Sequence, residues 1–144
     1  SAKHIIKLFN EFDKILVVDP HLHRIKRMNE LSNKAFNITT NKLIAAYIKK
    51  RFKNEFTIIG PDEESSQWGA EIAKILGKKV IILKKTRLGD RKVKQKEKNL
   101  GKSKNIIIID DIISTGKTVA GVMAMAKKQG AKKIVCIGIH GVLV

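Results

Sequence analysis

Residues 106–109 are four consecutive isoleucines, and they run straight into Asp110-Asp111-Ile112-Ile113-Ser114-Thr115-Gly116-Lys117-Thr118. A β-branched run this short is too brief for a helix and reads as a strand buried on both faces, as in a parallel sheet. The strand is expected to stop at the first carboxylate. Beyond it, Ser114 to Thr118 supplies hydroxyls, backbone N–H groups and a glycine, and Val119, Val122, Met123 and Ala126 come next at helical spacing. A helix N-terminus with free N–H groups binds phosphate. Asp110 and Asp111 repel a phosphate; they either accept hydrogen bonds from two sugar hydroxyls or help to hold Mg²⁺. Two acids beside an anion cradle point to a phosphorylated sugar. Gly116-Lys117-Thr118 also invites a nucleotide P-loop reading, but that motif needs glycine where Asp111 stands. The plainer alternative is a strand-turn-helix corner with a solvated acid pair.

A chain of 144 residues with 43% hydrophobic content buries one core and is most simply one domain. No apolar run approaches the roughly 20 residues of a membrane span, and no signal peptide opens the chain. Cys136 is the single cysteine and lies in an apolar run, which leaves no disulfide framework or zinc site and fits a reducing, cytoplasmic location. The formal net charge of +17 calls for polyphosphate or nucleic-acid ligands. Much of the excess lies between Lys84 and Lys104, a stretch with few apolar residues and no aromatics. It is expected to be a mobile loop about 84–104, not an ordered stacking surface, so any nucleic acid would bind non-specifically.

Along the chain the pattern predicts a helix about 2–12 (Ile5, Ile6, Phe9) and a strand at 14–18. A helix at 41–53 with Ile44, Tyr47 and Ile48 inward precedes a strand at 56–59. A helix at 66–76 (Trp68, Ile72, Ile75, Leu76) and a strand at 79–83 lead to the basic loop. The isoleucine strand, a helix at 117–129 and a strand at 133–139 complete the chain. Gly77 and Gly130 fall where helix C-termini should be. Alternating strands and helices give an α/β fold with a mostly parallel sheet flanked by helices. In such sheets ligands bind outside the carboxyl ends of the strands. The expected strands lead in turn into Asp19-Pro20-His21-Leu22-His23, Gly60-Pro61-Asp62, Lys84-Lys85-Thr86-Arg87, Asp110-Asp111 and His140-Gly141. The amino ends carry mostly Lys, Asn or Phe. One composite site at the carboxyl edge is expected.

The Asp110–Thr118 stretch resembles the signature of type I phosphoribosyltransferases and of phosphoribosyl pyrophosphate (PRPP) synthetases, the ribose-phosphate pyrophosphokinases. In those families two acids hold the ribose hydroxyls and the adjoining turn binds the 5-phosphate. The resemblance implies a phosphoribosyltransferase-like, Rossmann-like fold and a ribose 5-phosphate site at Asp110, Asp111, Ser114, Thr115, Gly116, Lys117 and Thr118. Where the family commonly has Asp-Thr-Gly-Gly-Thr this chain has Ser114-Thr115-Gly116-Lys117-Thr118, so Lys117 either adds a charge to the phosphate or obstructs the turn. Val17-Val18-Asp19-Pro20-His21 is similar to the synthetase segment that places a histidine near the metal of Mg-ATP, and by position the match is His21, not His23. Gly60-Pro61-Asp62 resembles the loop whose Asp organises metal and ribose phosphate, although Asp62 is equally suited to start a helix. Paired glycines of that loop are replaced by Glu64 and Ser65. Lys85-Thr86-Arg87 resembles the Lys-x-Arg of the synthetase's flexible catalytic loop, which plain phosphoribosyltransferases lack.

The resemblance thus implies transfer of the β,γ-diphosphoryl group of ATP to ribose 5-phosphate to make PRPP, with Lys85 and Arg87 catalytic, Mg²⁺ near His21 and Asp62, and a homo-oligomer. The chain opens at Ser1, at a point resembling the middle of a synthetase, and nothing in it resembles the ATP-binding half. An excised C-terminal half of a two-half synthetase, weak or inactive alone, is therefore expected ahead of a decayed relative or a binding module. A PRPP-dependent phosphoribosyltransferase and a non-catalytic sugar-phosphate or nucleic-acid-binding relative are the alternatives.

Overall fold

The computed structural model describes residues 11–22, 28–30, 32–87, 93–95, 98–101 and 103–144. Residues 1–10 of the first expected helix, with Ile5, Ile6 and Phe9, and His23 lie outside the described residues. The chain separates into two compact units, residues 1–40 and 41–144.

In the first unit, β1 (Ile15–Val18) pairs in parallel with β2 (Ala35–Ile38), Ile15 opposite Ala35 and Val18 opposite Ile38. A short 3₁₀ turn, Met28–Glu30, lies in the connection. Alternation turns Ile15 and Val17 onto a small core with Met28, Ala35 and Leu22. Leu16, Val18, Phe36 and Ile38 stay exposed. The Ala-Phe-Asn-Ile sequence of β2 has no alternation and an Asn near its centre, so nothing local marks it as a strand.

The second unit is built on a four-stranded sheet of order β4-β3-β7-β8, parallel throughout, with β3 Thr57–Gly60, β4 Val80–Ile82, β7 Asn105–Ile113 and β8 Lys133–Gly141. Helices α1 (Asn41–Arg51), α2 (Ser66–Leu76) and α3 (Lys117–Lys128) complete it. The isoleucine run explains the layering. Ile107 and Ile109 pack with Ile58, Ala45, Ile48, Trp68 and Ile72 beneath α1 and α2. Ile106 and Ile108 pack with Ile59, Leu83, Val122 and Ala126 beneath α3. A stretch of strand covered on both sides needs consecutive apolar residues, and β7 has them from Ile106 to Ile109.

Gly77 and Gly130 end α2 and α3 with φ of 62° and 84°. In both cases the next N–H reaches back to the last turn, Lys78 N to Ala73 O at 2.9 Å and Ala131 N to Ala126 O at 3.0 Å. This is the left-handed stop that glycine allows without steric cost.

Two expectations are corrected. Tyr47 is half exposed, with the Arg51 guanidinium 5.9 Å from its ring centroid, while Ala45 and Ile48 are the buried positions of α1. A helix of this length has one inward stripe, and Tyr47 lies beside it. Strand β7 does not stop at Asp110 but continues through Asp111 to Ile113, because β8 pairs with it as far as Gly141. The basic stretch contains β5 (Lys85–Arg87) and β6 (Val93–Gln95), an antiparallel pair with Lys85 opposite Gln95 and Arg87 opposite Val93.

Candidate functional site

Because β3, β4, β7 and β8 run the same way, their carboxyl ends share one edge of the sheet. That edge receives Asp62 after β3, Lys84 and the β5 segment after β4, Asp110 and Asp111 with the 114–118 turn at β7, and His140 near the end of β8. The topology therefore collects four of the five post-strand segments on one edge. His21 belongs to the first unit.

Asp110 and Asp111 are each 4% exposed, and Asp110 stands opposite Gly138 in the ladder. Strand alternation continues the pattern of Ile106–Ile109, so Asp110 is directed to the α3 face and Asp111 to the α1/α2 face. The pair is thus a strand-borne couple and not two acids side by side in a loop. At Gly138 an added Cβ would come within 2.5 Å of Ile113 Cδ1, so the position opposite Asp110 is kept without a side chain by close packing.

After Ile113 the chain turns through Ser114 and Thr115 to Gly116, whose φ of 71° is left-handed, and α3 begins at Lys117. No side chain caps this helix start. Thr115 Oγ1 lies 3.5 Å from Lys117 N, too long for a strong bond, while Gly116 O accepts Ala120 N at 2.8 Å. The first-turn N–H groups therefore keep the orientation and partial positive charge that suit an anion. The left-handed residue is Gly116, so Lys117 enters the helix with ordinary backbone geometry and does not strain the turn. Its side chain is exposed.

The Gly60-Pro61-Asp62 loop is tied to α2. Asp62 is 7% exposed and its Oδ1 accepts the N–H of Ser65 at 2.9 Å, while the Ser65 hydroxyl donates to Asp62 O at 3.2 Å. One Asp62 carboxylate oxygen thus braces the loop ahead of α2, whose N-cap residue, Ser65, makes no side-chain cap bond. Glu63 forms an ion pair with Lys84 at 3.2 Å, joining the loops after β3 and β4. Lys85 and Arg87 occupy alternate positions of β5.

In the first unit, Asp19 is a residue whose importance the sequence does not announce. It is 3% exposed with φ of 41°, and its Oδ2 accepts both the N–H of Thr40 at 2.7 Å and the Thr40 hydroxyl at 2.5 Å. Its own N–H donates to Ile38 O and to Asn37 Oδ1, each at 3.1 Å. Asp19 fixes the end of β1, two residues before the half-buried His21. A carboxylate just after an apolar strand and just before proline was the available signal.

Among the described residues no three or more His, Cys, Asp or Glu converge as a metal site. No helix among them is long and apolar enough to cross a membrane.

Cys136, on edge strand β8, keeps some exposed surface, yet burial of its sulfur and then the charge of Asp110 push the thiol up from 9.0 to about 11. The folded state holds this proton more tightly. Its contribution to stability is complete below pH 9 and disappears as pH rises through 11. At pH 8 the thiolate fraction is ~100-fold lower than for a free thiol, so labelling by a disulfide reagent should be slow and should accelerate up to about pH 11. Asp110→Asn removes the second cause and should speed the reaction. An unchanged rate would separate the two side chains.

Residues 29–142 match the phosphoribosyl transferase domain. The chain belongs to that family. Over 144 residues, 99% of its length, this phosphoribosyl transferase domain is 32% identical to a ribose-phosphate pyrophosphokinase of Pyrococcus furiosus, covering 50% of that protein. It is 30% identical to the enzyme of the same name from Thermoplasma volcanium, again covering 50%. The chain spans about half the length of the curated relatives it matches. Among solved structures, phosphoribosylpyrophosphate synthetase from Mycobacterium smegmatis aligns with a TM-score of 0.77 at 24% identity, covering 98% of this chain and 46% of that one. A purine phosphoribosyltransferase from Pyrococcus horikoshii aligns with a TM-score of 0.51 at 22% identity, covering 72% and 80%. These two likenesses establish the type I phosphoribosyltransferase fold.

Proposed function

We propose that this domain is the ribose 5-phosphate-binding half of a ribose-phosphate diphosphokinase. The observation that carries the reading is the uncapped start of α3, reached through left-handed Gly116 in the turn that follows the strand bearing the buried Asp110-Asp111 pair. An anion seat and an acid pair three residues apart suit the two ends of one sugar phosphate. Relatives bearing the pyrophosphokinase name match nearly the whole chain, which favours this reading over base glycosylation.

In the reaction proposed, the C1 hydroxyl oxygen of ribose 5-phosphate forms a bond to Pβ of ATP. The bond from Pβ to the oxygen bridging it to Pα breaks, AMP leaves with that oxygen, and the hydroxyl proton is released. Little covalent chemistry falls to the protein; position and charge balance dominate. The 114–118 turn with Lys117 seats the 5-phosphate, and Asp110 and Asp111 orient the ribose hydroxyls. Lys85 and Arg87 balance charge on the transferring group, one as a compact point charge and the other as a planar fork. When bound, Mg²⁺ would neutralise the phosphate oxygens. Its fit rests on donor chemistry: Mg²⁺ is ordinarily held by one or two carboxylates together with phosphates and water, and no three-donor protein cage is present among the described residues. Asp62 is the carboxylate of the second unit proposed to hold it; His21, the other residue expected near the metal, lies in the first unit. Active assembly as a homo-oligomer is part of the same proposal.

Titration calorimetry tests the reading. Ribose 5-phosphate should bind saturably, ribose without its phosphate should bind at least tenfold more weakly, and ATP should bind more weakly than ribose 5-phosphate. PRPP formation by these 144 residues alone should be slow or absent. Equal affinity for ribose and ribose 5-phosphate would sink the proposal.

A further inference from the structure

Each helix of the second unit leads into the amino end of a strand: α1 into β3, α2 into β4 and α3 into β8. Helix C-termini and strand starts therefore meet at the edge opposite the acid pair. The segments there are strongly cationic. Lys53 precedes β3, Lys78 and Lys79 precede β4, Lys104 precedes β7, and Lys132 leads into Lys133 at the start of β8. Lys49, Lys50 and Arg51 in the last turn of α1 flank this row on one face, and Lys127 and Lys128 of α3 flank it on the other. Among the described residues of these segments Glu55 is the one acid, and Lys78 pairs with it at 3.0 Å. Lysines in a last helical turn also serve the helix dipole. Those at the strand starts do not, and all but the half-buried Lys78 are exposed.

Neighbouring strands lie about 4.8 Å apart, so the four starts lay a line of cations some ~15 Å long. The same edge holds a pocket of about 290 Å³ lined by Lys49, Phe52, Lys53, Phe56, Ile75 and Lys78, among others. Phe52 and Phe56 meet edge to face with centroids 6.2 Å apart. Lys133 Nζ lies 5.0 Å from the Phe52 centroid, and Lys78 Nζ lies 5.5 Å from that of Phe56. A cationic track beside an aromatic-floored pocket is the pairing that binds single strands: phosphates along the track, a base against the ring. An acidic peptide would satisfy the lysines but would offer the pocket a flat ring only where it carries an aromatic side chain, whereas every nucleotide has a base.

We infer that the amino-terminal edge of the sheet binds single-stranded nucleic acid, independently of the sugar-phosphate reading at the other edge. It is a second site on the same sheet, at the end of the strands away from the acid pair.

Fluorescence anisotropy with a labelled single-stranded RNA of mixed sequence, about 20 nucleotides long, at roughly 50 to 250 mM salt, tests it. The variant Lys53→Glu/Lys79→Glu/Lys132→Glu is compared with the charge-matched control Lys14→Glu/Lys34→Glu/Lys42→Glu, and circular dichroism confirms that both fold. At about 150 mM salt the edge variant should bind at least tenfold more weakly than the control. Its slope of log K against log salt should fall by about 2, at ~0.7 for each phosphate of a single strand that is no longer neutralised. Phe52→Leu, which retains an apolar side chain, should weaken the single strand at least fivefold and a duplex of equal charge hardly at all. Equal losses in the two triple variants would mean diffuse attraction to a basic protein and would overturn the site. Displacement of the RNA by polyglutamate at equal charge concentration would overturn nucleic acid as its partner.

Discussion

Replacing Asp110 and Asp111 together by Asn should weaken the binding of ribose 5-phosphate by at least an order of magnitude while leaving the fold in place. Asn keeps the size of each side chain and one acceptor oxygen, so the strand and its pairing to β8 should survive. What disappears is charge. A hydrogen bond to a charged group contributes ~1.5–3 kcal/mol, against ~0.5–1.5 kcal/mol for a neutral one. Two such bonds converted from charged to neutral should cost ~2–4 kcal/mol, or roughly 30- to 1000-fold in affinity. The strand-borne placement sharpens this. With Asp110 and Asp111 directed to opposite faces of β7, the single Asn variants should have unequal effects. Calorimetry on both singles and the double reads this directly. Binding by the double variant within threefold of the parent would remove the acid pair from the site. Retained binding of inorganic phosphate, with that of ribose 5-phosphate weakened, would locate the defect in sugar recognition and not in the 114–118 turn.

Ile107→Ala and Ile108→Ala should each cost ~2–5 kcal/mol of unfolding free energy, measured by urea denaturation. Both side chains are fully buried, with no room for collapse from the solvent side. They serve different cores: Ile107 packs beneath α1 and α2, and Ile108 beneath α3. Adjacent in sequence, the two changes open cavities on opposite faces of one strand. Their effects should therefore add within ~0.5 kcal/mol, as for sites sharing no partners. Against the ~5–15 kcal/mol typical of a whole domain, the double variant would be mostly unfolded or close to it. A loss below about 1 kcal/mol at either position would contradict the two-sided burial of β7. The same strand carries Asp110 and Asp111 just beyond, so its rigidity also holds the acid pair in place.

How much of this was legible in the sequence depends on whether the determinants are local. The helix over 66–76 coincides with α2 because Trp68 and Ile72 recur at helical spacing and Gly77 stops the turn by adopting a conformation that other residues resist. Gly130 does the same for α3. The isoleucine run specified a strand buried on both faces because β-branching favours an extended backbone and four apolar residues in a row leave no polar face. With strands and helices alternating, the parallel sheet was also readable, and with it the edge to which its strands bring the acid pair and the turn into α3.

The tertiary structure decided the rest. A strand ends where its ladder partner ends, so β7 runs through Asp110 and Asp111 to Ile113 because β8, more distant in the chain, pairs with it that far. That pairing directs the acids to opposite faces, which no property of Asp-Asp itself could specify. β2 is a strand because β1 lies beside it, not because Ala-Phe-Asn-Ile prefers to be one. Asp62 is tied to its own loop by Ser65, whose N–H its Oδ1 accepts, a contact set by how that loop folds. Lys53, Lys79, Lys104 and Lys132, far apart in sequence, form one cationic edge only because four parallel strands start side by side. Short-range hydrogen bonding and side-chain periodicity are written in the order of residues; ladder partners and charge neighbours exist only once the chain has folded.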